Sequence, residues 1–419
     1  MSFKVKNIDL APLGRKRIDW AENHMPVLAA IRREFKKNKP LRGIVVGAAL
    51  HTEAKTAVLV RTLMAGGAEV AITSCNPLST KDDVAAALAK EGVHVYAWRG
   101  ETTKDYYSNL NRVLDHSPDV IIDDGADLIT LLHTSRKDLL KKIIGGSEET
   151  TTGVLRLRAM AKAKQLKFPV IAVNDTPAKR FFDNRFGTAE STLQAIMSLT
   201  NTQISGKKII VIGFGFVGRG IAFRARGLGG RVVVVESDPI KALEAVMEGF
   251  DVLPMGEAAT IGDIFITATG NINAIRGEHM KKMKDGAILC NAGHFNVEID
   301  ISALNSLSSS RRKVLPDIEE FQLKDGRRLY LLSEGRLVNL AGEKSLGHPM
   351  EIMDMSFSLQ TLCVAHLVKN GRNLQPNVYE VPPEIDRRVA ELKLLAYGVK
   401  LERLTEEQKK YLQSWERGT

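Results

Sequence analysis

The run IIVIGFGFVGRG carries Gly213, Gly215 and Gly218 at GxGxxG spacing between an apolar stretch and a helical pattern. A turn of this kind lets backbone approach a pyrophosphate, with Phe216 and Val217 opening a helix whose N-terminus favours the negative charge. The spacing alone is weak, because glycine turns abound. Here Glu236 closes the next apolar run, VVVVE, where an acid binds an adenosine ribose 2′-hydroxyl and repels a 2′-phosphate. The expected cofactor is NAD rather than NADP.

Other stretches offer proton-transfer groups. VNDTPAKRFFDNRFG holds Lys179 and Asp183 four apart, on one face if helical. Spacing leaves two readings open: a surface ion pair, or a desolvated lysine that accepts a proton beside a carboxylate that grips a hydroxyl. IIDDGADL ends an apolar run with Asp123, Asp124 and Asp127, either a ligand crevice or a capping cluster. GGSEETTTGV offers Glu148, Glu149 and Thr150, Thr151 and Thr152, which also suit a solvated loop. CNAGHFNVEID presents His294 after another apolar run, and HTEAKT sets His51, Glu53, Lys55 and Thr56 where a strand hands over to a helix.

Positioning these groups requires regular elements. GIVVGAAL, AEVAITS, VHVYAW, DVIIDD and FPVIAVND read as strands alternating with helical patterns, hence a parallel sheet covered on both faces. KKIIVIGFG, RVVVVESD, DIFITATG, GAILCNAG, RLYLLS and RLVNLA read as a second strand series. The expected fold is α/β, with two doubly wound, Rossmann-like parallel-sheet domains and a helical C-terminal tail. A substrate-binding domain over 1–183 is completed by about 349–380, an NAD-binding domain spans 184–348, and 381–419 forms an oligomerisation tail.

Length and composition agree. A chain of 419 residues, 44% apolar and 26% charged, suits a two-domain globular enzyme. No apolar run reaches membrane-spanning length, and the first residues lack the apolar core of a signal peptide, so no membrane partner and a cytoplasmic location are expected. Cys75, Cys290 and Cys363 show no metal spacing and read as reduced core thiols; no metal is expected. The net charge of +10 is scattered among acids without aromatic interleaving, which argues against nucleic acid.

Together SCNPLSTKDDVAAAL, IDDGADL, SEETTTGV, VNDTPAKRFFDN, GFGFVGRG, MKDGAILCNAGHFNVEID, EGRLVNLA and GHP resemble the S-adenosylhomocysteine hydrolase (adenosylhomocysteinase) family, from about residue 40 onward. The resemblance implies a redox-neutral use of NAD. Oxidising the ribose 3′-hydroxyl acidifies the C4′ hydrogen, homocysteine leaves by elimination, water adds at C5′, and the ketone is reduced again. It implies a nucleoside thioether substrate, a place in the methyl cycle of one-carbon metabolism, and a homotetramer. Lys179 takes the 3′-hydroxyl proton, Asp183 and Glu149 bind ribose hydroxyls, and His51 and Asp124 serve C4′ and C5′. Thr150, Thr151, Thr152, Asn184, Gly213, Gly215, Phe216, Val217, Gly218, Glu236, Lys241, Thr269, Ala292, Gly293, His294 and Asn339 match positions around NAD, and Glu53, Lys55, Thr56 and His348 positions around the substrate.

The chain departs from the family pattern in places. Thr188 stands where a cysteine is common, Lys241 where asparagine is common, and two extra residues lie between Asn339 and His348. Many relatives end in a lysine- and tyrosine-bearing tail that reaches a neighbouring subunit's NAD, whereas this sequence ends YLQSWERGT. Two and four places after the histidine, where many adenosine-processing members carry threonine and then glutamate or glutamine, stand Glu53 and Lys55. Lysine only donates, which mismatches an adenine amino group but suits O6 of hypoxanthine, with Glu53 accepting from N1–H. S-inosyl-L-homocysteine is therefore an expected alternative to S-adenosyl-L-homocysteine. Glu53 accepting from the amino group while Lys55 donates to N1 suits adenine equally, and a Lys55 turned to solvent would leave the purine untouched. A net NAD-dependent hydroxy-acid dehydrogenase, whose two-domain architecture is similar, is the more distant alternative.

Overall fold

The computed structural model describes residues 2–416; residues 417–419 of the expected tail, and Met1 of the expected first domain, lie outside the described residues. The first half contributes β1 (Lys4–Val5), β2 (Val45–Ala49), β3 (Glu69–Thr73), β4 (His94–Ala97), β5 (Val120–Asp123), β6 (Gly145–Glu148) and β7 (Val170–Ala172). The second contributes β8 (Lys208–Ile212), β9 (Arg231–Val235), β10 (Asp251–Val252), β11 (Ile264–Thr267), β12 (Ala287–Asn291), β13 (Ser308–Leu315), β14 (Ile318–Leu323) and β15 (Arg328–Leu332), and β16 (Val378–Tyr379) follows. They form two sheets, ordered β1-β4-β3-β2-β5-β6-β7-β16 and β10-β9-β8-β11-β12-β15-β14-β13.

The first sheet is parallel throughout, its central strands apolar on both faces because helices cover each side. Order reverses between β2 and β5 in this sheet and between β8 and β11 in the other. Loops leaving the carboxyl ends of such strand pairs diverge to opposite faces and open a crevice. Both sheets thus prepare a ligand site at the same kind of place.

Three departures from the sequence reading have local causes. RLVNLA is not a strand: after a tight turn at Ser333–Gly335, the segment Val338–Ala341 is a helical turn. GGSE is a strand, β6, held between β5 and β7 although it offers almost no apolar side chain. The second sheet is not all parallel, because β13 and β14 form a hairpin around Pro316 and Asp317, and β14 runs antiparallel to β15.

The helix Met350–Asn370 packs on β5, β6 and the helices Pro26–Asn38 and Ala54–Ala65. Its Met353, Phe357, Leu359, Cys363 and Leu367 join the core of the first sheet. Asp354 on this helix is fully buried and accepts hydrogen bonds from the amides of Val27 (3.1 Å) and Leu28 (2.9 Å). Those amides open the helix Pro26–Asn38, where donors lack intrahelical partners. Lys393 of the helix Pro383–Ala396 completes the contact at 3.0 Å.

Candidate active site

A cavity of about 1150 Å³ opens between the carboxyl ends of the two sheets. His51 follows β2, Asp124 follows β5, Glu149 follows β6, and Lys179 and Asp183 follow β7. From the other sheet come Gly213 after β8, Glu236 after β9, Thr269 after β11 and His294 after β12.

The glycine turn forms a cradle. Gly213 has φ of 99°, a left-handed conformation that favours glycine. A Cβ on Gly218 would lie 1.8 Å from the Gly213 carbonyl oxygen, so the helix Phe216–Gly227 can sit this close only without a side chain there. A Cβ on Gly215 meets nothing within 4 Å among the described residues, leaving backbone free toward the cavity. Glu236 accepts from the amides of Phe214 (2.7 Å), Ser237 (2.7 Å) and Asp238 (3.0 Å). Burial opposes its charge, but these amides win and hold its carboxyl below the ordinary value. An anionic carboxylate therefore stands where a 2′-hydroxyl is welcome and a 2′-phosphate is not. An open glycine cradle, a helix N-terminus and this acid fit NAD.

Gly218→Ala should weaken NAD binding about 10-fold or more, since overpacking a fixed turn costs ~1–3 kcal/mol. Titrating cofactor-stripped protein with NAD measures this, and an unchanged affinity would mean the turn is not the cradle.

Thr150, Thr151, Thr152, Asn184, Phe216, Val217, Ala292 and Gly293 also line the cavity, and Lys241 stands on its rim, 3.8 Å from Asp238. Two expected residues do not line it. Gly218 lies beneath the turn, and Asn339 is fully buried with its amide donating to Ser191 at 3.0 Å. Glu298, which the sequence did not single out, accepts from the amides of Thr269 (2.9 Å) and Gly270 (2.8 Å) and so fixes the turn after β11.

The polar groups fall into two sets. In one, the Lys179 ammonium lies 3.1 Å from Asp183, 3.6 Å from Glu149 and 2.8 Å from Asn184 Oδ1. The pair is buried, not a surface pair, with side chains 5% and 4% exposed. Burial works against the lysine's charge, but Asp183 and Glu149 outweigh it and raise its pKa. Burial would raise Asp183 too, yet Lys179 and His348 bring it below the usual carboxylate range. Burial pushes Glu149 up to about 7 against the pull of Lys179. Asn174, Ser356 and Gln360 complete the set unannounced by sequence: Ser356 donates to Asp183 at 2.9 Å and Gln360 to Glu149 at 2.6 Å. His348 bridges Asp183 (3.3 Å) and the Thr188 hydroxyl (3.1 Å).

In the second set Asp124 stands between two imidazoles, 3.5 Å from His51 Nε2 and 3.5 Å from His294 Nδ1. His51 Nδ1 meets the Ser79 hydroxyl at 2.7 Å. Burial drops the His51 pKa to about 4 although Asp124 pulls it upward, which favours the neutral imidazole. Of the neighbouring acids, Asp123 caps the turn through the amides of Asp124 and Ile129, and Asp127 holds Arg156 and Tyr106. The Asp124, His51 and His294 ligand atoms lie within 4.8 Å of one another, close enough to hold a metal ion.

Near His51 in the same cavity, Lys55 is buried rather than turned to solvent, with its ammonium 2.7 Å from Glu53 and 2.7 Å from the Leu346 carbonyl. Thr56 donates to the His51 carbonyl at 2.6 Å. Glu53, Lys55 and Thr56 line the same cavity as the lysine–carboxylate set.

Comparison with known proteins agrees with this layout. The model for the S-adenosyl-L-homocysteine hydrolase NAD binding domain matches residues 184–345, and that for S-adenosyl-L-homocysteine hydrolase matches residues 2–139. S-inosyl-L-homocysteine hydrolase of Methanopyrus kandleri is 59% identical, with 100% of this chain and 98% of that protein covered. The chain belongs to the S-adenosyl-L-homocysteine hydrolase family. Adenosylhomocysteinase of Sulfolobus acidocaldarius is 56% identical and S-inosyl-L-homocysteine hydrolase of Methanocaldococcus jannaschii 57%, each with 100% of both chains covered. Family likeness thus begins at residue 2, well before residue 40, and takes in the helices Ala11–Asn23 and Pro26–Asn38, which pack on the helix Ala54–Ala65. Membership makes the protein a hydrolase with an NAD-binding domain and sets aside the net dehydrogenase. Overall identity does not separate the adenosyl from the inosyl relatives. Among the described residues, no helix is long and apolar enough to cross a membrane.

Proposed function

We propose that the protein hydrolyses the thioether bond of S-adenosyl-L-homocysteine to adenosine and L-homocysteine, reversibly and without net redox change. The observation that carries the reading is one cavity holding both a dinucleotide cradle and two sets of buried proton-transfer groups. Bound NAD supplies a hydride acceptor that later returns the hydride, so the cofactor is restored each turnover.

Lys179 receives the proton of the ribose 3′-hydroxyl. In the resting protein it is held charged by Asp183 and Glu149. Ribose hydroxyls that hydrogen-bond to those carboxylates draw off part of the counter-charge and move the lysine toward its neutral form. His51, neutral and steadied by Ser79, and Asp124 beside it handle the C4′ proton and the group leaving or entering at C5′. Burial of both sets keeps bulk water away while the sugar is oxidised. The first sheet with the helix Met350–Asn370 serves the substrate, and residues 184–348 serve NAD.

The Lys55–Glu53 pair also admits a second reading, with S-inosyl-L-homocysteine preferred. A buried ammonium beside a buried carboxylate on the cavity wall complements O6 and N1–H of hypoxanthine. Lys55→Gln, which keeps a hydrogen-bonding group but adds an acceptor, should move the kcat/KM ratio about 10-fold toward the adenosyl thioether, in line with ~1–3 kcal/mol for an unmet buried partner. Assaying both thioethers with both proteins decides it, and an unchanged ratio removes Lys55 from purine selection.

The setting we infer is cytoplasmic, in the methyl cycle, as a homotetramer. Exposed Leu401, Leu404, Leu412 and Trp415 near the C-terminus support an oligomer by offering apolar surface to another copy.

A further inference from the structure

A second cluster of ligand-type side chains lies at the opposite end of the first sheet from the cavity. Glu69 opens β3, His94 opens β4, and His116 precedes β5 in the turn after the helix Thr103–Leu114. All three therefore sit at the amino-terminal edge of strands whose carboxyl ends face the active site. Glu69 Oε1 stands 3.2 Å from His94 Nε2 and 3.8 Å from His116 Nδ1. The imidazole centres are 4.1 Å apart and the rings tilted by 31°. Ligands bound at ~2.0–2.1 Å around one tetrahedral ion lie about 3.4 Å from each other, so these ligand atoms, all within 4.8 Å of one another, must draw closer to share an ion.

The outer ring nitrogens are already bonded. His116 Nε2 meets the Tyr96 hydroxyl at 2.8 Å, and that hydroxyl meets Ser2 Oγ at 2.5 Å. His94 Nδ1 lies 3.3 Å from the Ser2 carbonyl oxygen and 3.2 Å from the Ser2 amide nitrogen. His94 Nδ1 accepts from the Ser2 amide when Nε2 carries its proton toward Glu69; with Nδ1 donating to the Ser2 carbonyl instead, the bare Nε2 is free to bind an ion.

We propose that Glu69, His94 and His116 bind a divalent ion of the zinc class, with water in the fourth position. Two imidazoles and one carboxylate suit zinc rather than magnesium or calcium, and the Tyr96 and Ser2 contacts are the outer partners that orient ligating histidines. The Glu69 side chain is 54% exposed, which leaves an entry path, while the two histidines are 13% and 16% exposed. The ion pins the starts of β3 and β4 to the turn before β5. Its place is structural, since none of its ligands lines the catalytic cavity.

The test is calorimetric titration of tag-free, chelator-treated, NAD-loaded protein with zinc chloride alone, alongside thermal unfolding. The expected result is one zinc per chain with a raised unfolding midpoint. His94→Gln and His116→Gln should each lose both effects while retaining turnover, and Tyr96→Phe should weaken binding about 10-fold, as loss of an outer partner does. Absence of binding by the unaltered protein, or binding undiminished in His94→Gln, overturns the proposal. So does binding lost in His51→Gln, which would place the ion with His51, Asp124 and His294.

Discussion

Lys179→Ala should lower turnover by about 10²–10⁴-fold, the usual contribution of a positioned acid–base group, while the protein keeps its NAD. The lysine is the only cation within bonding distance of both Asp183 and Glu149 among the described residues' ion pairs. It belongs to the substrate half of the cavity, away from the glycine cradle and Glu236. Loss of the ammonium also removes the charge that opposes the upward push of burial on Glu149, so that carboxyl should protonate above its present value of about 7. Asp183 keeps His348 at 3.3 Å and Ser356 at 2.9 Å, which limits structural collapse. Single-turnover measurement of hydride transfer, with bound NAD quantified on the same sample, checks this. Near-normal turnover would make the buried pair a structural device.

Asp354→Ala should destabilise the protein by about 3–5 kcal/mol, the range for breaking a buried ion pair by removing one partner. The substitution leaves the Lys393 ammonium, 4% exposed, without its carboxylate, and strips the amides of Val27 and Leu28 of their acceptor. Three helices meet at this carboxylate, one of them from the first tenth of the chain. Burial raises the Asp354 pKa despite Lys393, so the pair is held at a desolvation cost rather than being a large net gain. Replacing both residues together by apolar ones, Asp354→Leu with Lys393→Met, should therefore recover most of the loss. Denaturant unfolding of the NAD-loaded proteins measures both. A loss under about 1 kcal/mol in the single variant would contradict the account.

What the sequence disclosed follows from where its signals are local. The apolar runs that became β2, β3, β5, β8, β9 and β11 announce themselves, as does the glycine turn with its acid one strand later, because each is a property of adjacent residues. β6 was hidden because GGSE owes its strand state to pairing on both sides rather than to its own side chains. RLVNLA misled because an apolar run this short fits a strand or a helical turn equally, and the turn at Ser333–Gly335 decides. Lys179 and Asp183 could not be assigned by spacing, since surface pair and buried network share it; burial distinguishes them. Ser356 and Gln360 were invisible as site residues because their contacts with Asp183 and Glu149 bridge 173 and 211 residues of chain, most of them in the second sheet's half, and arise only when the helix Met350–Asn370 recrosses to the first sheet.

The central claim is that NAD acts as a resident cofactor in a reaction with no net redox change. Its most direct test is hydrolysis of the thioether by purified protein with no cofactor added, monitoring product and NADH together. The account predicts that NAD accompanies the protein through purification and that product accumulates over many turnovers without accumulating NADH. A requirement for added NAD in proportion to product, with NADH rising in step, would contradict it.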